Sequence, residues 1–148
     1  MKTLVCVLFL AITTLGAASA SEGGAPSPAE LSIAAATKIL QTQPNRYQAY
    51  NDLSLALLRR ARETGDRSYY EQARAAIVSS LRIEPQNFEA EQAQVALLVA
   101  EHKYRPALEE ARSLNHRMPD AVLIWAYMAE ADAALGDYKQ AEELRSGR

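Results

Sequence analysis

The chain has 148 residues, of which 49% are hydrophobic and 23% are charged, and its formal net charge is −2. This length suits one ordinary domain, and the composition excludes wholesale disorder. The weak acidic balance offers no electrostatic footprint for nucleic acid or for an anionic membrane surface, so neither is predicted as a partner.

The first twenty residues have the pattern of a secretory signal peptide. A basic residue, Lys2, precedes the apolar stretch 4–12, and a small-residue sequence ends at Ala20. The pattern predicts cleavage after Ala20 and an exported protein with no membrane insertion after cleavage. Cys6, the only cysteine, would be removed with this segment. The alternative is a retained anchor, but the apolar stretch is shorter than the ~20 residues that a membrane span needs.

Helix signals follow a Gly-, Pro- and Ser-rich segment, 21–27, which is predicted to be a flexible leader. Apolar residues then recur at helical spacing, with no sustained period-two alternation, so no sheet is expected. The predicted helices are 28–41, 45 to about 63, 68 onward, 87 to about 101, 104 to about 115, 120 to 135, and 137 onward. The predicted capping residues are Ser27 with Glu30, Asn45 with Gln48, Ser68 with Glu71, Asn87, Asp120 and Asp137. Gly65 and Gly136 are predicted to end helices.

Three sets of residues recur at an interval of 34 residues. They are Tyr70, Tyr104 and Tyr138; Ala73, Ala107 and Ala141; and Pro85 with Pro119. A fixed interval of this size indicates a stacked array of repeated helical hairpins.

With these residues in place, the chain resembles the tetratricopeptide repeat (TPR) family, whose unit is a helix-turn-helix of 34 residues. Trp125 matches the aromatic position of the first helix, Met128 and Ala129 stand in for Leu-Gly, and the sequence LGDYKQA at 135–141 matches the turn into the second helix. The resemblance implies an all-α, right-handed α-solenoid of antiparallel helix pairs. It also suggests an exported bacterial protein in a periplasmic setting.

The resemblance divides the chain into a half unit at 28–43, unit one at 47–87, unit two at 88–121 and an incomplete unit three at 122–148. Unit one has seven extra residues between Leu58 and Tyr70, and if these are helical we expect the hairpin to be longer by ~10 Å. Unit two departs most from the family, and His102 stands at its turn glycine. Alanines such as Ala73 and Ala129 are expected where paired helices cross, because a methyl group permits close approach.

By resemblance, one face of each first helix lines a concave groove that binds an extended protein or peptide partner. The residues placed on this face are Asn51, Leu55, Leu58, Arg59, Gln92, Ala96, Val99, Tyr127 and Glu130. The family's clamp for a C-terminal carboxylate is not implied, because only Asn51 comes near its pattern. The alternative is that the small residues of this face merely pack against a further helix.

No constellation of residues indicates catalysis, a metal or a cofactor. His102 and His116 share no metal-ligand spacing. Adjacent acidic pairs such as Glu109 and Glu110 point about 100° apart on a helix, which suits a solvated face. The basic segment 59–67 is interpreted as the solvated tip of the lengthened hairpin, with an anion or partner site as the alternative.

The sequence therefore favours a non-catalytic, exported protein-interaction module. The alternative is a self-associating structural component of an envelope complex, because two and a half units are marginal for an array that depends on neighbour interfaces. An enzyme would need a pocket with paired titratable groups, and no such pair is found in the sequence.

Overall fold

A computed structural model of the chain describes residues 25–146, which form α-helices joined by short turns. The helices are α1 (Pro28–Thr42), α2 (Tyr47–Thr64), α3 (Ser68–Ile83), α4 (Phe88–Ala100), α5 (Tyr104–Arg117), α6 (Val122–Leu135) and α7 (Tyr138–Ser146). Within this range there is no strand, and the prediction of an all-α fold is confirmed. The predicted signal peptide and residues 21–24 of the predicted leader lie outside the described residues.

The helices form two rows. Each of α2, α4 and α6 packs on the helix before it and the helix after it, and α4 also contacts both α2 and α6. Within residues 25–146, the helices α1, α3, α5 and α7 do not contact one another. We call α2, α4 and α6 the inner row and the others the outer row. Because only the inner-row helices contact one another, the array curves with this row on its concave side.

The alanines that recur in the sequence are the crossing points of the helix pairs. Ala73, Ala107 and Ala141 are all buried, with 0%, 1% and 2% of their surface exposed. Tyr70 and Tyr104 pack half-buried against the core, whereas Tyr138 is 73% exposed. Tyr138 differs because no described helix pair follows α7 to cover it.

Several predicted caps are confirmed. Ser27 and Glu30 form a reciprocal capping box at the start of α1, with the Ser27 amide 2.8 Å from the Glu30 carboxylate. The Asn87 side chain accepts hydrogen bonds from the first turn of α4. Gly65 and Gly136 end α2 and α6 with φ angles of 72° and 91°, which glycine adopts without strain.

Three predicted N-caps, Asn45, Ser68 and Asp120, are wrong. Asn45 and Asp120 each follow a proline and lie inside a turn, because the amides of Arg46 and Ala121 bond to carbonyls three residues earlier. This hydrogen bond closes a β-turn with proline at its second position, which proline favours. The helix therefore begins beyond the polar residue.

Ser68 is the first residue of α3, and its amide donates to the Asp66 carboxylate at 2.8 Å. Asp66 therefore supplies the oxygen that was expected from Ser68. The same hydrogen bond lowers the pKa of Asp66.

The seven extra residues of unit one lengthen both helices of its hairpin. The inner-row helix α2 has 18 residues against 13 in α4, and α3 has 16 against 14 in α5. Because the extra residues are divided between two helices, α2 is longer by about 7 Å rather than ~10 Å. Its tip is attached to the start of α1, where Arg60 pairs with Glu30 at 2.7 Å and Ser27 donates to Glu63 at 2.8 Å. Part of the basic segment is therefore structural.

The turn between α4 and α5 uses a histidine where unit three uses glycine. His102 has a φ of 60°, in the left-handed region that side chains disfavour. Its ring nitrogen Nδ1 lies 2.6 Å from the Tyr104 hydroxyl, within hydrogen-bond distance. This contact explains how the turn accepts a residue with a Cβ atom.

Enlarging a crossing alanine should destabilise the array. We expect Ala73→Leu to lower the free energy of unfolding by about 1–3 kcal/mol, because the added atoms push α3 away from α2. Ala75→Leu, on the exposed side of the same helix, should change it by less than about 0.5 kcal/mol. Urea unfolding followed by circular dichroism measures both, and equal effects would contradict the assignment of Ala73 as a crossing point.

Candidate functional site

The nine residues predicted to line the groove fall into four groups. Leu58, Ala96 and Val99 are buried, with 1%, 7% and 6% of their surface exposed, and they belong to the hydrophobic core. They form the floor beneath the inner row and do not offer side chains to a ligand. Leu58 and Ala96 pack with residues of α3 and with Tyr127, and Val99 packs with residues of α5 and with Tyr127, so almost none of their surface is available to a partner.

Asn51 is also buried and belongs to a polar network that joins α2, α3 and α4. Its Oδ1 accepts from the Ser80 hydroxyl at 2.6 Å and from Asn87 Nδ2 at 3.0 Å, and its Nδ2 donates to Glu89 at 2.9 Å. Asn87 Nδ2 also donates to Ser80 at 2.8 Å. These bonds use the polar atoms of Asn51 internally, so this residue positions helices and is not free to clamp a ligand.

Leu55 and Arg59 are exposed but do not lie over the middle of the inner row. They line an open cleft of about 290 Å³ between α1 and α2, at the N-terminal end of the array. We call this cleft the end cleft. Its lining residues are Ser32, Ala35, Ala36, Ile39, Asp52, Leu55, Ala56 and Arg59.

Gln92, Tyr127 and Glu130 are the predicted residues that remain accessible on the inner row. Tyr127 is half-buried and packs against all three parts of the hydrophobic core. Burial raises the pKa of its phenol, Glu130 adds to the rise, and Arg62 on α2 opposes it. Charges from α2 and α6 therefore act on one surface across α4. Whether this surface binds a partner stays a prediction.

Arg62 is a member of this surface that the sequence analysis missed. It is exposed and forms no ion pair with any residue in 25–146. It lies four residues after Leu58 on the lengthened part of α2, and helical spacing from Leu58, which is in the core cluster that Tyr127 packs against, was the signal that could have found it. We call Arg62, Gln92, Tyr127 and Glu130 the inner face.

The C-terminal end of the array has a second cleft, of about 420 Å³, between α6 and α7. Val122 is 69% exposed there, and Trp125, Ala126, Ala129 and Leu144 form the rest of its apolar lining. Trp125 also donates from Nε1 to the Asn115 side chain at 2.8 Å, joining α6 to α5. Trp125, which matches the family's aromatic position, is therefore half-buried between α5 and α6 and also lines this cleft.

Two carboxylates have raised pKa values without a catalytic arrangement around them. Burial raises the pKa of Asp132, Asp137 adds to the rise, and Arg112, 3.5 Å away, opposes it. Desolvation by neighbouring groups and then the charge of Glu91 raise the pKa of Glu110, although much of its surface is exposed. Among residues 25–146, no three His, Cys, Asp or Glu side chains are grouped so that they could hold a metal ion. No helix in the same range has the length and apolar character to cross a membrane.

Comparison with known proteins yields a match in structure. No protein-family model and no curated protein matches the chain in sequence. The crystal structure of a thermophilic TPR protein from Thermus thermophilus superposes with a TM-score of 0.70 over 80% of this chain. The fold is TPR-like. At 17% identity the likeness shows the fold alone, and the matched region spans 63% of the Thermus protein's length.

The TPR-like fold accounts for the concave surface formed by the inner row. Stacked helix pairs expose an extended concave surface, which arrays of this kind use for binding. The inner face, the end cleft and the C-terminal cleft between α6 and α7 are open surfaces within residues 25–146.

Removing the centre of the polar network should destabilise the array. We expect Asn51→Ala to lower the free energy of unfolding by about 2–3 kcal/mol, because its hydrogen bonds to Ser80, Asn87 and Glu89 would be lost from a largely buried site. Gln48→Ala, exposed one turn earlier on α2, should cost no more than about 0.5 kcal/mol. Thermal or urea unfolding compares the two, and a small effect at both positions would show that the network contributes little.

Asp132 should make stability depend on pH. Its raised pKa means that the folded chain holds a proton more tightly than the unfolded chain, so its charged form destabilises the fold at neutral pH. We expect Asp132→Asn to be more stable than the parent at pH 7, with an advantage that shrinks as the pH falls through the pKa of Asp132 and becomes constant below about pH 4. Urea unfolding at several pH values measures this, and a pH-independent difference would contradict it.

Proposed function

We propose that the chain is an exported, non-catalytic module that binds a peptide or protein partner along its inner face. The observation that carries the proposal is the position of Tyr127. This aromatic side chain packs on every part of the core and keeps an accessible edge in the middle of the concave row. A rigid aromatic group that is partly desolvated before binding is a typical anchor of a protein interface.

The surroundings of Tyr127 favour a polypeptide ligand over a small molecule. Small side chains of α4 such as Ala93 and Ala96 are buried in the core cluster against which Tyr127 packs. Arg62 and Glu130 contribute opposite charges from the two flanking helices. An open surface with an aromatic centre and separated charges suits an extended chain with several side chains, whereas small ligands need enclosed pockets.

The export part of the proposal rests on the first twenty residues. Lys2, the apolar stretch 4–12 and the small residues before Ser21 form the pattern of a cleavable signal. A periplasmic or secreted location would place the partner among exported proteins. The absence of cysteine after Cys6 is compatible with an oxidising compartment.

Self-association as an assembly component is the second candidate. The exposed apolar residues Val122 and Leu123, 69% and 54% exposed, lie at the open C-terminal end and favour it. In this case a second copy would cover α6 and α7, and the inner face would stay free.

Reversing the two charges of the inner face should abolish capture of an exported partner. We expect the pair Arg62→Glu and Glu130→Arg to lose cross-linked adducts from the exported fraction, because both groups flank Tyr127. The matched control is Arg105→Glu with Glu109→Arg, two exposed charges on the outer-row helix α5. Both variants should keep the helical circular dichroism spectrum of the parent.

Adducts that persist in the inner-face variant, or that vanish equally in the control, would count against the inner face. Sedimentation of the purified parent protein tests the second candidate, self-association. A monomer at micromolar concentration would leave the partner-binding proposal alone, and a dimer weakened by Val122→Glu would favour self-association.

A further inference from the structure

The end cleft lies at the one side of α1 that no helix of residues 25–146 covers in the way that α2, α4 and α6 cover α3, α5 and α7. Among the outer-row helices of the described chain, α3, α5 and α7 each pack on the inner-row helix that precedes them. The first of the outer row, α1, has no such preceding helix within residues 25–146 and packs on α2 alone. The cleft between α1 and α2 is therefore at the position that the first helix of the half unit would occupy.

The lining of the end cleft suits a helix. Ser32, Ala35, Ala36 and Ala56 are small, and small side chains let two helix axes approach to about 8 Å. Leu55 rises from this surface with 41% of its area exposed and supplies an apolar contact. A helix with an apolar face would bury Leu55 and complete the packing that every other outer-row helix has.

Two charges at the ends of the end cleft would determine the direction of a helix bound in it. Asp52 and Arg59 are seven residues apart on α2, which places them two turns, or about 10 Å, apart along the helix axis. Both are exposed, and neither makes an ion pair or a side-chain hydrogen bond with any residue in 25–146. Arg60, next to Arg59, pairs with Glu30 at the start of α1, so α1 and α2 are antiparallel.

We propose that the end cleft is a docking site for an amphipathic helix of a partner protein, which lies parallel to α2 and antiparallel to α1. In this direction the positive N-terminal end of the bound helix lies beside Asp52 and its negative C-terminal end beside Arg59. The opposite direction places like charges together at both ends. The inference concerns a surface separate from the inner face and does not rest on the function proposed for that face.

The chemistry of the site defines the partner helix. It needs about three turns with an apolar face that includes small residues, no acidic side chain near its start, and an acidic residue near its end that faces Arg59. Apolar burial against Leu55 and Ile39 supplies affinity, and the two charges supply direction.

A peptide made from the sequence 121–135, preceded by one lysine and labelled with fluorescein, is a suitable probe. This sequence is the first helix of unit three, with no charge in its opening turns and with Glu130 and Asp132 near its end. We expect saturable binding by fluorescence anisotropy. Leu55→Glu should weaken it at least tenfold, and Asp52→Arg or Arg59→Asp by roughly two- to fivefold each. Val78→Glu, at an exposed valine on α3, should leave it unchanged.

A nitroxide on the peptide tests the direction. A label at its C-terminal end should broaden the amide signals of Ser32 and Arg59, and a label at its N-terminal end should broaden those of Ile39 and Asp52. The reverse pattern, the absence of saturable binding, or equal loss in the Val78→Glu control would overturn the proposal.

The anisotropy measurement also tests whether another segment occupies the cleft. It is made with the full chain and with a chain that starts at Ser21, after circular dichroism has shown that both are helical. Binding to the shortened chain alone would assign the cleft to residues 1–20. A dimer that the peptide dissociates would assign it to a second copy. Either result would overturn the partner-helix proposal.

Discussion

Close approach of paired helices at alanine positions is the constraint on which the rest of the array depends. Ala73, Ala107 and Ala141 are almost fully buried where the two helices of each pair cross. Methyl groups at these crossings keep the helix axes close, so each pair behaves as one layer that can stack on the next. The inner-row helices then contact one another, and the outer-row helices within residues 25–146 do not. The accessible edge of Tyr127 on the concave side follows from this stacking.

The buried polar network around Asn51 fixes the register between units one and two. Hydrogen bonds can be satisfied together only in one arrangement of α2, α3 and α4, because Asn51, Ser80 and Asn87 exchange donors and acceptors among themselves. An apolar contact in the same place would tolerate sliding. This matters most in unit one, whose lengthened helices offer more ways to slip than a standard hairpin does.

The repeat interval and helical spacing of the sequence were enough to predict the helices, their pairing and the crossing alanines. Helix starts were less predictable, because Asn and Asp are common both as N-caps and after proline in a β-turn. Asn45 and Asp120 are in the second situation. Groove residues were the least predictable. Positions carried over from the family do not show that Leu55 and Arg59 lie beside α1, where they line the end cleft. They also do not show that Asn51 is bonded to Asn87, a residue 36 positions away.

The inner face and the end cleft are linked through α2, which carries Arg59 in the end cleft and Arg62 on the inner face. A repeat array gains stability from interfaces between neighbours, so an array with few such interfaces has a small free energy of unfolding. A helix bound in the end cleft would stabilise the folded array in proportion to its occupancy. Because that gain is made first at α2, it would restrict the helix that also carries Arg62 of the inner face. Occupation of one surface would in this way reduce the entropy lost when the other binds.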